Sequence, residues 1–322
     1  MKVLQLITST RSFFEQQVSV LEDRGVECTV VGVPGEYSAE SPRTPADYLR
    51  FYPKILSKVR TGEYDIVHAN YGLVAPFALA QPTRPVVVTL WGTDLMSQLG
   101  WLRTISRYGA RFADAVVVPS PAMSDVLEVD HALIPFGVDT ELFRPIPREQ
   151  ARERVGWERD RPIALFPYDP SRSEKDFPRA RRIVEHADVD VDLRAVNGVP
   201  HEEVPYYMNA SDVLLVSSER EAGPMVVKEA AACNLPVVST DVGFVRETIG
   251  DVDNCAVATS DDELAAALED VLEDGGRSNG REAVDALGLE AMGDQLLEVY
   301  QRVLGDENGR PTPVQEGVSR GV

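Results

Sequence analysis

The sequence predicts an α/β protein built of two doubly wound domains that face a cleft, and three observations predict it. Short, wholly apolar runs alternate with helical patterns from the first residues onward, as in parallel sheets covered on both faces. The alternation breaks at residues 135–162, a stretch rich in Pro, Gly and charge, and restarts at Ile163-Ala164-Leu165-Phe166. A length of 322 residues is long for one core and suits two domains of roughly 150 each.

In the first half, residues 3–7 form an apolar run suited to a strand. A helical pattern over 13–24 stops at Gly25, where a left-handed residue ends helices cheaply. Strands are expected at 27–33, 65–69, 85–90 and 115–119, with helices at 48–60 and 102–111 between them. In the second half, strands are expected at 163–166, 192–196, 213–216 and 237–239. Helices are expected at 177–186, around 205–210, from Pro224 onward, and at 261–273 and 289–303. The reading places a first domain at 1–155, a second at 156–305, and a disordered tail at 306–322.

Composition excludes several function classes. The net charge of −20 opposes general binding of nucleic acid. Arginine carries nearly all the positive charge, since the only lysines are Lys2, Lys54, Lys58, Lys175 and Lys228. Abundant acid with little lysine suits a halophilic protein, whose self-repulsion high salt screens. Cys28, Cys233 and Cys255 show no paired spacing, which argues against disulfides and a zinc site and fits a reducing cytoplasm. No window approaches the length of a membrane-spanning helix, and the start MKVLQLIT reads as a strand rather than a signal peptide. No metal and no cofactor is expected.

The segment SSEREAGPMVVKEAAACNLPVVSTD, residues 217–241, carries the chemistry. Pro224 suits a helix start, and Gly223 before it lets a ligand approach the backbone. The free N–H groups near Met225 and Val226 then sit at the positive end of a helix dipole, an anion site suited to phosphate. Glu221 lies ahead of that end, and Glu229 lies about 7 Å along the axis from Pro224, leaning back toward it. A ligand with hydroxyls on both sides of a diphosphate satisfies all of these groups, which is the layout of a nucleotide sugar.

The run EAGPMVVKEAAACNLPVVSTDVG resembles the signature of retaining glycosyltransferases of family 4, which have the GT-B fold. YDIVHANYG, VVVTLWGTD, ADAVVVPS, LIPFGVDTELFRP and PHEEVPYYMNASDVLLVSSE also fall in the order of that family. The resemblance implies that Glu221 contacts hydroxyls of the transferred sugar and Glu229 the ribose. It also implies that the segment 223–226 offers N–H groups to sugar and diphosphate. In PYDPSRSEKDF, Lys175 matches the family lysine that faces the departing diphosphate. Arg172 stands closer to it than the family arginine does, and is carried over on that compressed spacing.

Two departures accompany the resemblance. Many members have a His after the strand of VVVTLWGTDL, where this chain has Trp91, which stacks on sugars but cannot act as a base. Gly92, Asp94 and His68 are expected near the cleft, with a hydrogen-bonded core histidine as the other reading of His68. After the first strand this chain offers Ser9 and Arg11 in ITSTRSFF instead of the family glycines. These residues suit a phosphate or an acceptor, or else an ordinary helix cap. The absence of G-x-G-x-x-G weakens a dehydrogenase reading.

The implied activity is metal-independent, retaining transfer of a sugar from a nucleotide diphosphate sugar to a glycan, lipid-linked or small-molecule acceptor. An epimerase of the same fold and a non-catalytic nucleotide-sugar-binding protein are the alternatives. YLRFYPKILSKVR and LGWLRTISRYGARF mix cations with aromatics on the acceptor side. They suit peripheral contact with an anionic membrane, or plain amphipathic helices. The expected location is the cytoplasm, at the inner face of the membrane if that contact is made.

Overall fold

A computed structural model describes residues 1–10, 12–35, 43–158, 161–221 and 223–305. Arg11 and the tail 306–322 lie outside the described residues. The first domain runs β1 (Lys2–Ile7), α1 (Ser12–Glu22), β2 (Glu27–Gly32), α2 (Pro45–Thr61), β3 (Ile66–Asn70), α3 (Ala75–Ala80) and β4 (Val86–Thr89). It continues through α4 (Gly100–Phe112), β5 (Ala115–Val118), α5 (Pro121–Val126) and β6 (Ala132–Leu133). All strand pairs are parallel, in the order β2-β1-β3-β4-β5-β6. β1 and β3 lie side by side, yet the chain leaves them in opposite directions. That is a topological switch point, where loops part and leave a crevice at the carboxyl ends of the strands.

The second domain begins with α6 (Arg148–Val155), β7 (Ile163–Phe166), α7 (Phe177–His186), β8 (Asp192–Ala195), α8 (Val204–Ala210) and β9 (Val213–Val216). α9 (Met225–Ala232), β10 (Val237–Thr240), α10 (Val245–Ile249), β11 (Ala256–Ala258), α11 (Asp261–Asp274) and α12 (Gly280–Val284) complete it, and α13 (Leu289–Gly305) ends the described chain. Its sheet is parallel, in the order β11-β10-β9-β7-β8, with the switch point between β7 and β9. Every residue of β3, β4, β7, β9 and β10 is buried, because helices cover both faces.

Two helices pack against the sheet opposite to the one their sequence position suggests. α6 lies within 1–155 but packs on the second domain: Arg152 donates to the carbonyl of Ala210 at 2.9 Å and to Asp212 at 2.7 Å. α13 lies within 156–305 but returns to the first domain. Met292, Leu296, Val299 and Tyr300 share a core with Val3, Val20 and Leu21. Arg24, in the turn just after α1, clamps it through Asp294 at 2.6 Å and Glu290 at 2.7 Å. An amphipathic pattern reports that a helix has one buried face, not which sheet it covers. The chain therefore crosses between the domains twice, and the crossings run side by side. Val138 N–H donates to the carbonyl of Leu287 at 3.0 Å, and Leu289 N–H to that of Val138 at 3.1 Å.

Among the described residues no helix is long and apolar enough to cross a membrane.

Candidate functional site

The loops after β7 and β9 meet at the second switch point. Lys175 comes from the first loop and Glu221 from the second, and the ammonium donates directly to Glu221 Oε1. Both side chains are nearly out of solvent, at 5% and 12% exposure. Ser218 Oγ donates to the same carboxylate oxygen at 3.1 Å, and the Tyr168 ring lies 3.9 Å from the ammonium. Ser217 Oγ holds the lysine turn by donating to the carbonyls of Lys175 (3.1 Å) and Asp176 (3.0 Å). Burial pushes the Lys175 pKa down while Glu221 pulls it up. Burial, reinforced by the charge of Glu221, pushes the Tyr168 phenol well above its ordinary value.

α9 begins at Met225, one residue later than expected. Pro224 is the last extended residue, with φ −73° and ψ 102°. The first helical bond comes from Val227 N–H to the carbonyl of Pro224 at 3.0 Å, which leaves the Met225 and Val226 N–H groups as helix-start donors. Gly223 is needed for a different close approach from the one expected: a Cβ there would lie 2.0 Å from the ring of Phe244. That ring, rather than a ligand alone, excludes any side chain.

Glu229, one helical turn along α9, is half-buried, and burial raises its pKa to about 7. It lines a cavity of about 500 Å³ with Arg172, Tyr168, Val226, Asn197 and Tyr207. Arg172 is half-exposed and donates to Glu174 at 2.9 and 2.6 Å, not to Glu221. The structure thus gathers Lys175, Glu221, the start of α9, Arg172 and Glu229 at the carboxyl end of one sheet.

On the facing domain, Trp91 follows β4 and meets the rings of Phe13 (4.8 Å), Tyr71 (5.8 Å) and Phe14 (6.4 Å). Its indole N–H is buried with no hydrogen-bond partner among the described residues. Gly92 has φ 98°, which a side chain disfavours. Asp94 is fully buried and accepts from the N–H groups of Gly72, Trp91, Gly92 and Leu95 at 2.7–3.1 Å. It organises the Trp91 loop and does not face the cleft. Burial raises its pKa against the pull of those donors.

His68 is equally internal, with Nδ1 2.6 Å from Tyr300 Oη and Nε2 2.7 Å from Thr89 Oγ1. Burial lowers its pKa to about 3, so it is a neutral core histidine, the second of its two readings. Ser9 lines a cavity of about 470 Å³ in the first domain, together with Thr10, Gly35 and Arg43.

Sequence reasoning missed Tyr168, Ser218, Phe244, Arg43 and Lys228. For Lys228 the sequence offers only the scarcity of lysine, five in the chain; that it and Lys175 are the two buried ones is visible only in the fold.

The model for glycosyltransferase family 4 matches residues 12–142, and the model for glycosyl transferases group 1 matches residues 173–285. The chain is 29% identical over 287 residues to a GDP-mannose-dependent α-(1-6)-phosphatidylinositol monomannoside mannosyltransferase of Mycolicibacterium smegmatis, covering 72% of this chain and 74% of that one. Its fold is similar to sucrose-phosphate synthase from Thermosynechococcus elongatus, with a TM-score of 0.78 and 19% identity over 94% of this chain and 99% of the other. It is also similar to Anabaena HepE, solved with UDP and glucose, with a TM-score of 0.71 and 17% identity over 94% of this chain and all of the other.

Proposed function

The chain belongs to family 4 of the glycosyltransferases, and on that premise we propose a retaining, metal-independent transfer from a nucleotide diphosphate sugar. The donor lies in the second domain and the acceptor enters from the first. The observation that carries this reading is the desolvated Lys175–Glu221 pair set beside the start of α9.

The nucleoside occupies the cavity beside Glu229, whose carboxylate accepts from the ribose hydroxyls. The diphosphate meets the Met225 and Val226 N–H groups, Lys175 and Arg172. As the bond from sugar to phosphate breaks, negative charge grows on the departing oxygen and positive charge on the sugar carbon. Preorganised donors in a site shielded from water stabilise the first without reorganising, which supplies the leaving-group stabilisation that a metal ion provides elsewhere. Glu221 holds the sugar hydroxyls and, being already bonded to Lys175 and Ser218, is not poised as a nucleophile. The acceptor oxygen then attacks from the face that the diphosphate leaves, and a phosphate oxygen takes its proton. The new bond forms on the face of the old one, so configuration is retained.

On the acceptor side we place a peripheral contact with an anionic membrane at α4. Trp101, Tyr108 and Phe112, at 56%, 57% and 54% exposure, recur at i, i+7 and i+11 and share one stripe. Arg103, Arg107 and Arg111 form the neighbouring exposed stripe. α4 follows the Trp91 loop directly, so a surface bound there delivers an acceptor to the cleft mouth.

The test is release of nucleoside diphosphate from a panel of UDP- and GDP-sugars, with and without candidate acceptors, in EDTA. Acceptor-dependent release that persists in EDTA, with a product of unchanged anomeric configuration by NMR, is the expected result. Inversion, or complete loss of activity in EDTA restored by a divalent metal, overturns the finer mechanism.

A further inference from the structure

Lys228 is almost wholly buried, at 1% exposure, on the helix whose start is assigned to the diphosphate. Its ammonium donates to the carbonyl of Phe136 at 2.8 Å and lies 4.5 Å from the centre of the Phe244 ring. Among the described residues no carboxylate offsets it, and burial brings its pKa down to about 8. A buried ammonium without a counter-ion is a costly way to fill a helix-packing position, where an apolar side chain of like volume would serve fold stability as well or better. Its retention calls for a role other than stability.

The position of Phe136 supplies one. This residue lies at the start of the first crossing between the domains. Immediately after it, Gly137 N–H meets Met292 Sδ at 3.2 Å, and a Cβ on Gly137 would come within 2.7 Å of Leu289 Cα on the second crossing. The two crossings are therefore in tight contact where Lys228 attaches. The ring of Phe136 points the other way, to Phe13 at 4.7 Å, and Phe13 in turn meets Trp91 at 4.8 Å. Phe244, beneath the ammonium, is the ring that seats against Gly223. Phe136 is thus held by its carbonyl to the donor helix and by its ring to Phe13 of α1, which in turn packs on Trp91.

We propose that Lys228 is a positioning residue that pins the donor helix to the interdomain crossing at Phe136. It thereby fixes how Glu221 and the start of α9 face Trp91 across the cleft. The proposal rests on the reading of the cleft as the transfer site, but the pin itself is a mechanical claim with its own readout. The pin acts on the encounter of the two halves, not on binding to one of them. Removing it lowers turnover and leaves donor affinity nearly intact.

The experiment compares wild type with Lys228→Met, an apolar side chain of similar length, and with Lys228→Arg, whose guanidinium reaches the same carbonyl. Hydrogen exchange at the Val138 and Leu289 amides tests the pin without any activity. In Lys228→Met these amides exchange tenfold or more faster, while the β7 and β9 amides keep their protection. In kinetics, Lys228→Met lowers kcat tenfold or more, calorimetric Kd for the nucleoside diphosphate stays within threefold, and Lys228→Arg recovers most of the loss. Unchanged exchange at Val138 and Leu289 in Lys228→Met overturns the pin. So does a Kd that worsens in step with kcat/KM, which would make Lys228 a donor ligand. If wild type shows no transfer with any donor, the functional reading fails while the exchange result still decides the pin.

Discussion

Lys175 and Glu221, 46 positions apart in the chain, bond to each other across the two loops that follow β7 and β9, and both side chains are nearly out of solvent. A pair of this kind is sensitive to losing one member, because the remaining charge stays buried without compensation. Lys175→Ala and Glu221→Ala are each expected to cost about 3 kcal/mol of stability. Removing both is expected to cost less than the sum of the two, a coupling read by thermal unfolding of the four-member cycle. Activity follows a different rule, since either group is needed at the transition state. Each single variant and the double variant lose transfer by roughly 100-fold or more. Additive stability losses, or a double variant with restored transfer, would contradict this account.

Glu229 provides a pH signature. Its folded pKa, about 7, lies above the ordinary carboxylate value because of burial. Between the two values the native state holds a proton that the unfolded state has released, so this group makes stability fall as pH rises from about 4.5 to 7. Ribose hydroxyls donate to the ionised form, so donor binding expels the proton. Nucleoside diphosphate affinity should therefore tighten from pH 6 to 8, with proton release seen by calorimetry in buffers of different ionisation heat. Glu229→Gln should bind more weakly, show no proton release, and gain roughly 1–3 kcal/mol of stability at pH 8. Proton release undiminished in Glu229→Gln would assign the signal elsewhere.

The buried histidine acts on stability alone. His68 is held neutral, its pKa lowered to about 3 by burial, so the unfolded state takes up a proton that the native state refuses. Stability is therefore lost as pH falls from about 6.5 toward 3. Tyr300→Phe removes the partner of Nδ1 and should cost about 1–3 kcal/mol, seen in urea unfolding at pH 7, with kcat unchanged. A kcat that falls with the stable, folded enzyme would return His68 to the cleft.

Much of this was legible in the residues. Wholly apolar strands such as Val213–Val216 announce a sheet covered on both faces, and the Glu221…Glu229 spacing across Gly223-Pro224 announces a helix start with acids on either side. What stayed hidden is what long-range packing decides. α6 is one of the most polar helices and reads as linker, yet Arg152 ties it to the second sheet. α3, α5, α10 and α12 are five or six residues long, too short to show a period. Asp94 and a cleft-facing acid look alike in sequence; only the four N–H groups converging on Asp94 reveal a loop organiser. Lys228 likewise looks like a solvated helix residue until Phe136 is brought 92 positions along the chain to meet it.

The exposed face of α4 leads to a prediction about surfaces. Residues 43–113 hold nine Lys and Arg against four Asp and Glu, whereas the whole chain holds 32 against 52. The excess is arranged in space: α2, with Arg50, Lys54 and Lys58 exposed, packs through Phe51 on Phe77 of α3, and α3 packs on α4 so closely that a Cβ on Gly109 would lie 2.5 Å from the Cβ of Ala75. One layer therefore presents cations and exposed rings together on a chain that is otherwise strongly acidic. Each cation near an anionic bilayer contributes about 1 kcal/mol, and salt screens the attraction within a Debye length. In vesicle sedimentation the protein should bind phosphatidylglycerol vesicles at low salt, bind phosphatidylcholine vesicles poorly, and release as salt rises toward 0.5 M. Trp101→Ser with Phe112→Ser should weaken binding by the loss of buried apolar area, and Arg103→Gln with Arg107→Gln by loss of charge. Neither pair touches the donor site, so transfer to a water-soluble acceptor should stay within twofold of wild type. Binding that ignores lipid charge, or survives both pairs of substitutions, would show that α4 is an ordinary surface helix.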